Sequence, residues 1–147
     1  MNLPRYKYYR SNDFKDYRFI SEGPKGKIAK VVRFSKIEGW KNVYNLGFGD
    51  ENFETGDIDD ISITNNEDRD LVLSTVANTV IDFTNHYRHY QVYAEGSTPV
   101  RTRLYQIGIS GLLDEMSLYF EVSGLKEDNW EEFQKNVNYS AFLIKRI

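Results

Sequence analysis

Residues 90–116 read YQVYAEGSTPVRTRLYQIGISGLLDEM, and they decide the fold because they join a short strand to a long helix. The alternation of residue types over residues 90–95 predicts a strand. Gly96 begins a turn after it. Thr98 and Pro99 are residue types favoured at the N-cap and at the first position of a helix. The pattern therefore predicts a strand that ends directly at the N-terminus of a helix.

The start of this helix is the candidate functional site. Its first N–H groups lack acceptors within the helix and its macrodipole is positive, so it favours an anion. Two such N–H groups, the Ser97 hydroxyl and a guanidinium could converge on a phosphate, sulfate or carboxylate. The arginines are two residues apart and point to different sides of the helix, so one of them is expected to reach the turn. The predicted anion site consists of Gly96, Ser97, Thr98, Arg101 and Arg103; a purely structural helix cap remains the alternative.

Composition places the chain among globular proteins. Its 147 residues fit one domain (residues 1–147), and 40% hydrophobic with 15% aromatic residues argues against disorder. The absence of Cys excludes disulfides, thiolate metal sites and Cys nucleophiles. No apolar run approaches the ~20 residues of a transmembrane helix, and the N-terminus has no signal-peptide pattern. We expect a cytoplasmic protein without membrane association.

The net charge of −3 hides a basic first quarter (residues 1–36) followed by an acidic stretch (residues 37–70). These blocks either neutralise each other across paired strands or form separate faces, the basic one for an acidic partner. Tyrosines and basic residues alternate over residues 5–10, which is compatible with single-stranded nucleic acid or with a first edge strand. We favour the edge strand and do not expect a nucleic-acid partner.

Other periodic segments complete the fold. Residues 17–22 and 27–37 predict a hairpin, residues 43–49 a third strand, and Ile58, Ile61 and Ile63 a short fourth. A helix over residues 67–88 is predicted, opened by a capping box from Thr64 to Glu67. A strand over residues 117–123 is expected to end at Gly124, with a helical turn over residues 126–134 and a last strand over residues 139–147. The predicted fold class is α+β: a two-layer sandwich of a mainly antiparallel sheet of about six to seven strands, with two long helices on one face and the other face partly open for binding.

Motifs for metals and nucleotides are incomplete. The acidic loop over residues 50–60 resembles a calcium loop, but it lacks the glutamate at the twelfth position. Asp57 and Asp59 precede the Gly96–Ser97 turn, which is the reverse of the order in nucleotidyltransferases. His86 and His89 have no third ligand supplied by the sequence. We predict no metal and no cofactor.

Residues 96–105 (GSTPVRTRLY), together with residues 138–142 (NYSAF), resemble an uncharacterised bacterial domain family of about this length. The resemblance covers nearly the whole chain and implies one compact domain of unknown function. It implies no activity.

The sequence does not name a function, and two hypotheses follow from the residues. The first is a non-catalytic binding module, a monomer or weak homodimer, that engages a protein partner or a small anionic ligand. The second is an enzyme acting on a phosphate-bearing small molecule or nucleotide, with Glu95 or His89 as acid or base. The lack of any complete catalytic constellation favours the first.

Overall fold

The computed structural model describes residues 3–52, 54–55, 57–59 and 65–147. Within these ranges the chain forms one sheet of nine strands and two helices, more strands than the six to seven predicted. The strands are β1 (Tyr8–Arg10), β2 (Asp16–Gly23), β3 (Gly26–Lys36), β4 (Val43–Glu51), β5 (Ile58–Asp59), β6 (Gln91–Ala94), β7 (Phe120–Lys126), β8 (Asn129–Glu132) and β9 (Ala141–Arg146). The helices are α1 (Arg69–His86) and α2 (Pro99–Met116).

The sheet is mainly antiparallel, which confirms the α+β class. Its order is β1-β2-β3-β4-β6-β9-β7-β8, with β5 beside β4. β4 and β6 are parallel, and α1 lies between them in the chain. β9 is antiparallel to both β6 and β7, so the C-terminal strand fills the place between two strands that α2 connects. The end of β6 and the start of α2 thus lie in the middle of the sheet.

Both helices cover the same face of the sheet, as expected. Alternate residues of the central strands point to this face and form one apolar cluster with the helices. Phe34 of β3 stacks on Phe83 of α1 with ring centroids 4.2 Å apart. Ile109 and Met116 bring α2 into the same cluster. This shared core fixes α2 against the sheet and positions its N-terminus.

The basic and acidic blocks of the sequence neutralise each other within the sheet. Arg18 of β2 forms an ion pair with Glu51 of β4 at 2.7 Å. Lys30 of β3 pairs with Asp50 of β4, and the Lys30 side chain is almost fully buried. Cross-strand neutralisation is therefore confirmed as an explanation of the charge pattern.

The N-terminal segment behaves as an edge strand. β1 lies at one end of the sheet, and the Tyr8 hydroxyl donates a hydrogen bond to Asp82 of α1. Tyr6 stacks on Phe19 of β2 with ring centroids 5.9 Å apart. Tyr6 and Tyr8 thus pack on the body of the protein, as the edge-strand interpretation requires, whereas Tyr9 is exposed.

The start of α1 differs from the prediction. The helix begins at Arg69, with Asp68 in the N-cap position and no side-chain cap hydrogen bond. Glu67 has a positive φ of 61°, so it lies outside the helix and cannot complete a capping box. The predicted cap residue Thr64, with Ile61 and Ile63 of the predicted fourth strand, lies outside the described residues.

Residues 117–134 also fold differently from the prediction. β7 begins at Phe120 and continues through Gly124, because Gly124 pairs with both β8 and β9. The predicted helical turn is wrong: β8 forms a hairpin with β7 through Glu127 and Asp128. Gly124 marks a close approach instead of a strand end, since a Cβ there would lie 2.4 Å from the Tyr139 ring.

Candidate anion site at the start of the second helix

α2 begins where the sequence predicts. Thr98 has extended backbone angles, and its side chain accepts a hydrogen bond from the Arg101 N–H at 3.3 Å, with Pro99 in the first turn. The Thr98 carbonyl accepts from the N–H groups of Arg101 and Thr102. Pro99 has no N–H. In this first turn the N–H group without an acceptor among the described residues is therefore that of Val100. The helix thus offers a ligand one backbone donor where the sequence predicts two.

The strand approaches the helix closely because residue 96 is glycine. The Gly96 N–H donates to the Thr102 hydroxyl at 3.0 Å. A Cβ on Gly96 would lie 2.2 Å from the Thr102 backbone nitrogen. Because this atom belongs to the backbone, no change of side-chain rotamer could remove the clash. Thr102, which is not among the predicted site residues, therefore joins the end of β6 to the first turn of α2; its place one helical turn after Thr98 is the sequence signal for this contact.

An open cavity of about 670 Å³ lies beside this junction, and we call it the outer cavity. It contains four of the five predicted site residues: Gly96, Ser97, Thr98 and Arg103. The rest of its wall comes from Glu95, Pro99, Thr102, Gln106, Asn138, Tyr139 and Ser140. Residues 138–140, just before β9, therefore meet the start of α2 in space.

The fifth predicted residue, Arg101, faces a different space. A cavity of about 60 Å³, the inner cavity, lies between α2 and β4 and includes Arg101, Asn45 and Phe48 in its wall. Glu95, Gly96 and Ser97 line both cavities. The two arginines thus point to different sides of the helix, as their spacing predicts, and both sides are cavities.

The guanidinium of Arg101 is buried and incompletely paired. The residue is 7% exposed, and its Nη2 atom is buried with no hydrogen-bond partner among the described residues. In residues 3–52, 54–55, 57–59 and 65–147, no carboxylate forms an ion pair with Arg101 or Arg103. The site therefore holds a buried cation whose natural counter-charge the described chain does not supply.

Residues 2–147 match the model of a family of unknown function, DUF6934. The chain belongs to this family. The match confirms the resemblance to an uncharacterised domain family, and DUF6934 brings no activity with it. No curated protein and no solved structure matches the chain.

One acidic residue, Glu95, is among the residues that line both cavities. Glu95 follows β6, and its Oε2 accepts a hydrogen bond from the Tyr93 hydroxyl at 2.9 Å. Burial, reinforced by this hydrogen bond, raises the pKa of Tyr93 to about 12. Tyr93 stays protonated at neutral pH. It alternates along β6 with the buried Val92 and Ala94, so its hydroxyl holds the Glu95 carboxylate on the sheet face opposite the helices.

The two histidines lie away from this site. His89 precedes β6, whereas Glu95 follows it, so the strand separates them. His86 stacks on Phe14 with ring centroids 3.9 Å apart. Of the two acid–base candidates suggested by the sequence, Glu95 is a lining residue of the two cavities and His89 is not.

The described residues offer neither a metal-binding cluster nor a helix that could span a membrane. They contain no group of three or more His, Asp or Glu residues placed to hold a metal ion. Neither α1 nor α2 is apolar enough over its length to cross a bilayer.

Proposed function

We propose that this chain is a non-catalytic binding module that holds the anionic group of a small ligand between the end of β6 and the start of α2. The observation that carries the proposal is the buried Arg101 guanidinium, which lines the inner cavity and whose Nη2 atom has no partner in the part of the chain that the structure describes. Leaving such a donor unsatisfied costs about 1–3 kcal/mol or more. A bound anion would remove that cost.

The chemistry of the inner cavity favours a small anionic group. Arginine stays charged at every physiological pH, and its planar fork matches a carboxylate or phosphate. A cavity of about 60 Å³ has room for one such group and little more. The positive end of α2 lies beside it and adds to the attraction.

Thermal unfolding in the presence of anions tests the proposal. The anions to compare are acetate, sulfate and inorganic phosphate, each measured against chloride at equal ionic strength. We expect at least one of the three to raise the melting temperature of the wild type. Arg101→Met should abolish that rise. Arg88→Met is the matched control, because Arg88 is an exposed arginine at the opposite end of β6 and should keep the response.

The proposal is wrong if none of these anions stabilises the wild type more than chloride does. It is also wrong if Arg101→Met responds as the wild type does. Circular dichroism of each variant confirms that it is folded before its response is compared.

An enzyme acting on a phosphate-bearing molecule is the second candidate, favoured by Glu95, which lines both cavities. In that case Glu95 acts as general acid or base while the arginines hold the phosphate. The enzyme hypothesis would be supported if the wild type released phosphate from nucleotides or sugar phosphates and the Glu95→Gln variant did not. Anion binding without turnover would contradict the enzyme hypothesis and support the non-catalytic binding module.

The proposal includes how the module exists in the cell. It acts in the cytoplasm as one domain over residues 1–147, as a monomer or weak homodimer. Sedimentation equilibrium over a range of concentrations would measure the association, and a stable dimer would contradict this part.

A further inference from the structure

We infer that the ligand of the anion site is a short aliphatic carboxylic acid bound as its carboxylate, an inference that rests on the proposed function. The carboxylate would lie in the inner cavity against Arg101. The alkyl chain would lie in a third cavity, between the two helices.

This third cavity is apolar, and we call it the apolar cavity. It has a volume of about 50 Å³ and lies where α1, α2 and the sheet meet. Among the described residues, its wall consists of Leu, Val, Ile, Ala, Met and Gly residues and one tyrosine, Tyr105. A cavity with such a wall stays dry and accepts an apolar guest. An alkyl chain can therefore enter it without displacing ordered water.

The apolar cavity adjoins the inner cavity. Leu46 of β4, Leu73 of α1 and Tyr105 of α2 line both. Residues four apart on a helix lie on the same side of it, so Arg101, Tyr105 and Ile109 form one stripe along α2. Arg101 and Ile109 are both buried, which shows that this stripe faces the interior. The stripe runs from the guanidinium in the inner cavity to the wall of the apolar cavity.

The inner cavity favours a single negative charge. Arg101 is the one basic residue among the described residues of its wall. One guanidinium balances the charge of one carboxylate and matches its two oxygen atoms. A phosphate dianion would bring a second charge into a buried place without a second cation, which is costly. A carboxylate is therefore the anionic group that this cavity fits best.

The volume of the apolar cavity limits the length of the alkyl chain. Since 10–15 Å³ of such a cavity holds one water-sized group, and a methylene has a similar size, the cavity accommodates roughly three to five carbon atoms. With the carboxyl carbon in the inner cavity, the whole ligand has about four to six carbon atoms. Hexanoate is the longest straight chain in this range.

Titration calorimetry with the straight-chain carboxylates from acetate to decanoate tests the inference. Up to hexanoate, the affinity should rise about three- to fourfold for each added methylene, which is the gain from burying one such group. Decanoate should bind no more tightly than hexanoate, because the cavity is then full. Hexanamide has the same chain without the charge, and it should bind at least about tenfold more weakly than hexanoate.

Two glycines of α2 allow a matched pair of variants. A Cβ on Gly108 would lie 3.4 Å from the Cβ of Leu73, and both residues line the apolar cavity, whereas a Cβ on Gly111 meets nothing within 4 Å. Gly108→Val should therefore fill the cavity and reduce the affinity for hexanoate to that for acetate, with acetate binding unchanged. Gly111→Val makes the same change of helix propensity and should keep the wild-type preference for hexanoate.

A smaller substitution keeps the test decisive if the valine variant does not fold. The added methyl of Gly108→Ala makes an ordinary van der Waals contact with Leu73 and takes the space of about one methylene. It should lower the affinity for hexanoate about three- to fourfold and leave that for acetate unchanged. Gly111→Ala is its control and should change neither affinity.

The outcomes separate this inference from the proposed function. If acetate, sulfate or phosphate binds through Arg101 but hexanoate binds no more tightly than acetate, the inference fails and the anion site stands. The inference also fails if affinity keeps rising up to decanoate, if the folded Gly108 variants bind hexanoate as the wild type does, or if Arg101→Met does. If neither the small anions nor any carboxylate of the series binds, both proposals fall.

Discussion

At the scale of single residues, Arg101 lowers the stability of the ligand-free protein and provides the charge that would bind the ligand. Its Nη2 atom is buried, and none of the residues that the structure describes is a partner for it. Methionine keeps an unbranched apolar stem like that of arginine, is flexible and has no charge, so it can pack where the arginine stem lies. We predict that Arg101→Met raises the free energy of unfolding of the ligand-free protein by about 1–2 kcal/mol. Urea denaturation measures the change.

The same substitution should lower stability once ligand is present at saturating concentration, because the variant gains nothing from binding. The exposed arginine variant Arg88→Met should leave both values within about 0.5 kcal/mol of the wild type. A loss of stability in ligand-free Arg101→Met would mean that the guanidinium is satisfied inside the protein.

Substitution by alanine should change the stability of the protein in opposite directions at two glycines of the same segment. A Cβ on Gly96 would lie 2.2 Å from backbone, whereas a Cβ on Gly111 meets nothing within 4 Å. We predict that Gly96→Ala destabilises by about 2 kcal/mol or more, because strand and helix must separate. Gly111→Ala should stabilise by about 0.5–1 kcal/mol through helix propensity. Urea denaturation of both variants gives the comparison, and equal effects would contradict it.

At the scale of elements, local signals predict α2 well and the β7–β8 hairpin poorly. Thr98 and Pro99 mark the start of α2 because a cap depends on residues a few positions apart. Glu127 and Asp128 form the two-residue loop of the hairpin with φ angles of 50° and 64°, but neither is glycine. The usual Asn-Gly signal is absent, so the segment looks helical from sequence alone.

This mismatch leads to a prediction for the hairpin. Two-residue loops with both φ angles positive prefer Asn-Gly. The double variant Glu127→Asn/Asp128→Gly should therefore stabilise the protein by about 1 kcal/mol, since it removes left-handed strain without touching a core contact. Thermal and urea unfolding measure the gain. The same change at Gln134 and Lys135, outside any strand, serves as control and should bring none.

At the scale of the whole molecule, the cavities depend on pairings that no local pattern contains. Asn138, Tyr139 and Ser140 reach the outer cavity because β9 inserts between β6 and β7. The spacing of Arg101 and Arg103 predicts that their side chains point to different sides of α2, and the two residues do line different cavities. That Arg101 would be buried without a partner depends on β4, some fifty residues earlier in the chain, and the sequence gives no sign of it.

The many buried tyrosines make the whole molecule sensitive to alkali. Burial raises the pKa of Tyr93 to about 12, and burial with the charge of Asp82 raises that of Tyr17 well above its usual range. Unfolded tyrosines lose their protons near pH 10, while these two keep theirs in the folded state. The unfolded state then binds fewer protons, so the free energy of unfolding must fall as pH rises above about 10.

Substitution of Tyr17 assigns part of this fall to one group. The residue is fully buried, and its hydroxyl has no hydrogen-bond partner within the described ranges of the chain. Tyr17→Phe removes that hydroxyl with almost no change of volume, so stability at pH 7 should stay level or rise, and the decline between about pH 10 and 12 should become shallower. Urea denaturation at several pH values measures the slope. Exposed Tyr9→Phe should keep the wild-type slope, and an unchanged slope in Tyr17→Phe would show that Tyr17 ionises in the folded protein as it does in the unfolded chain.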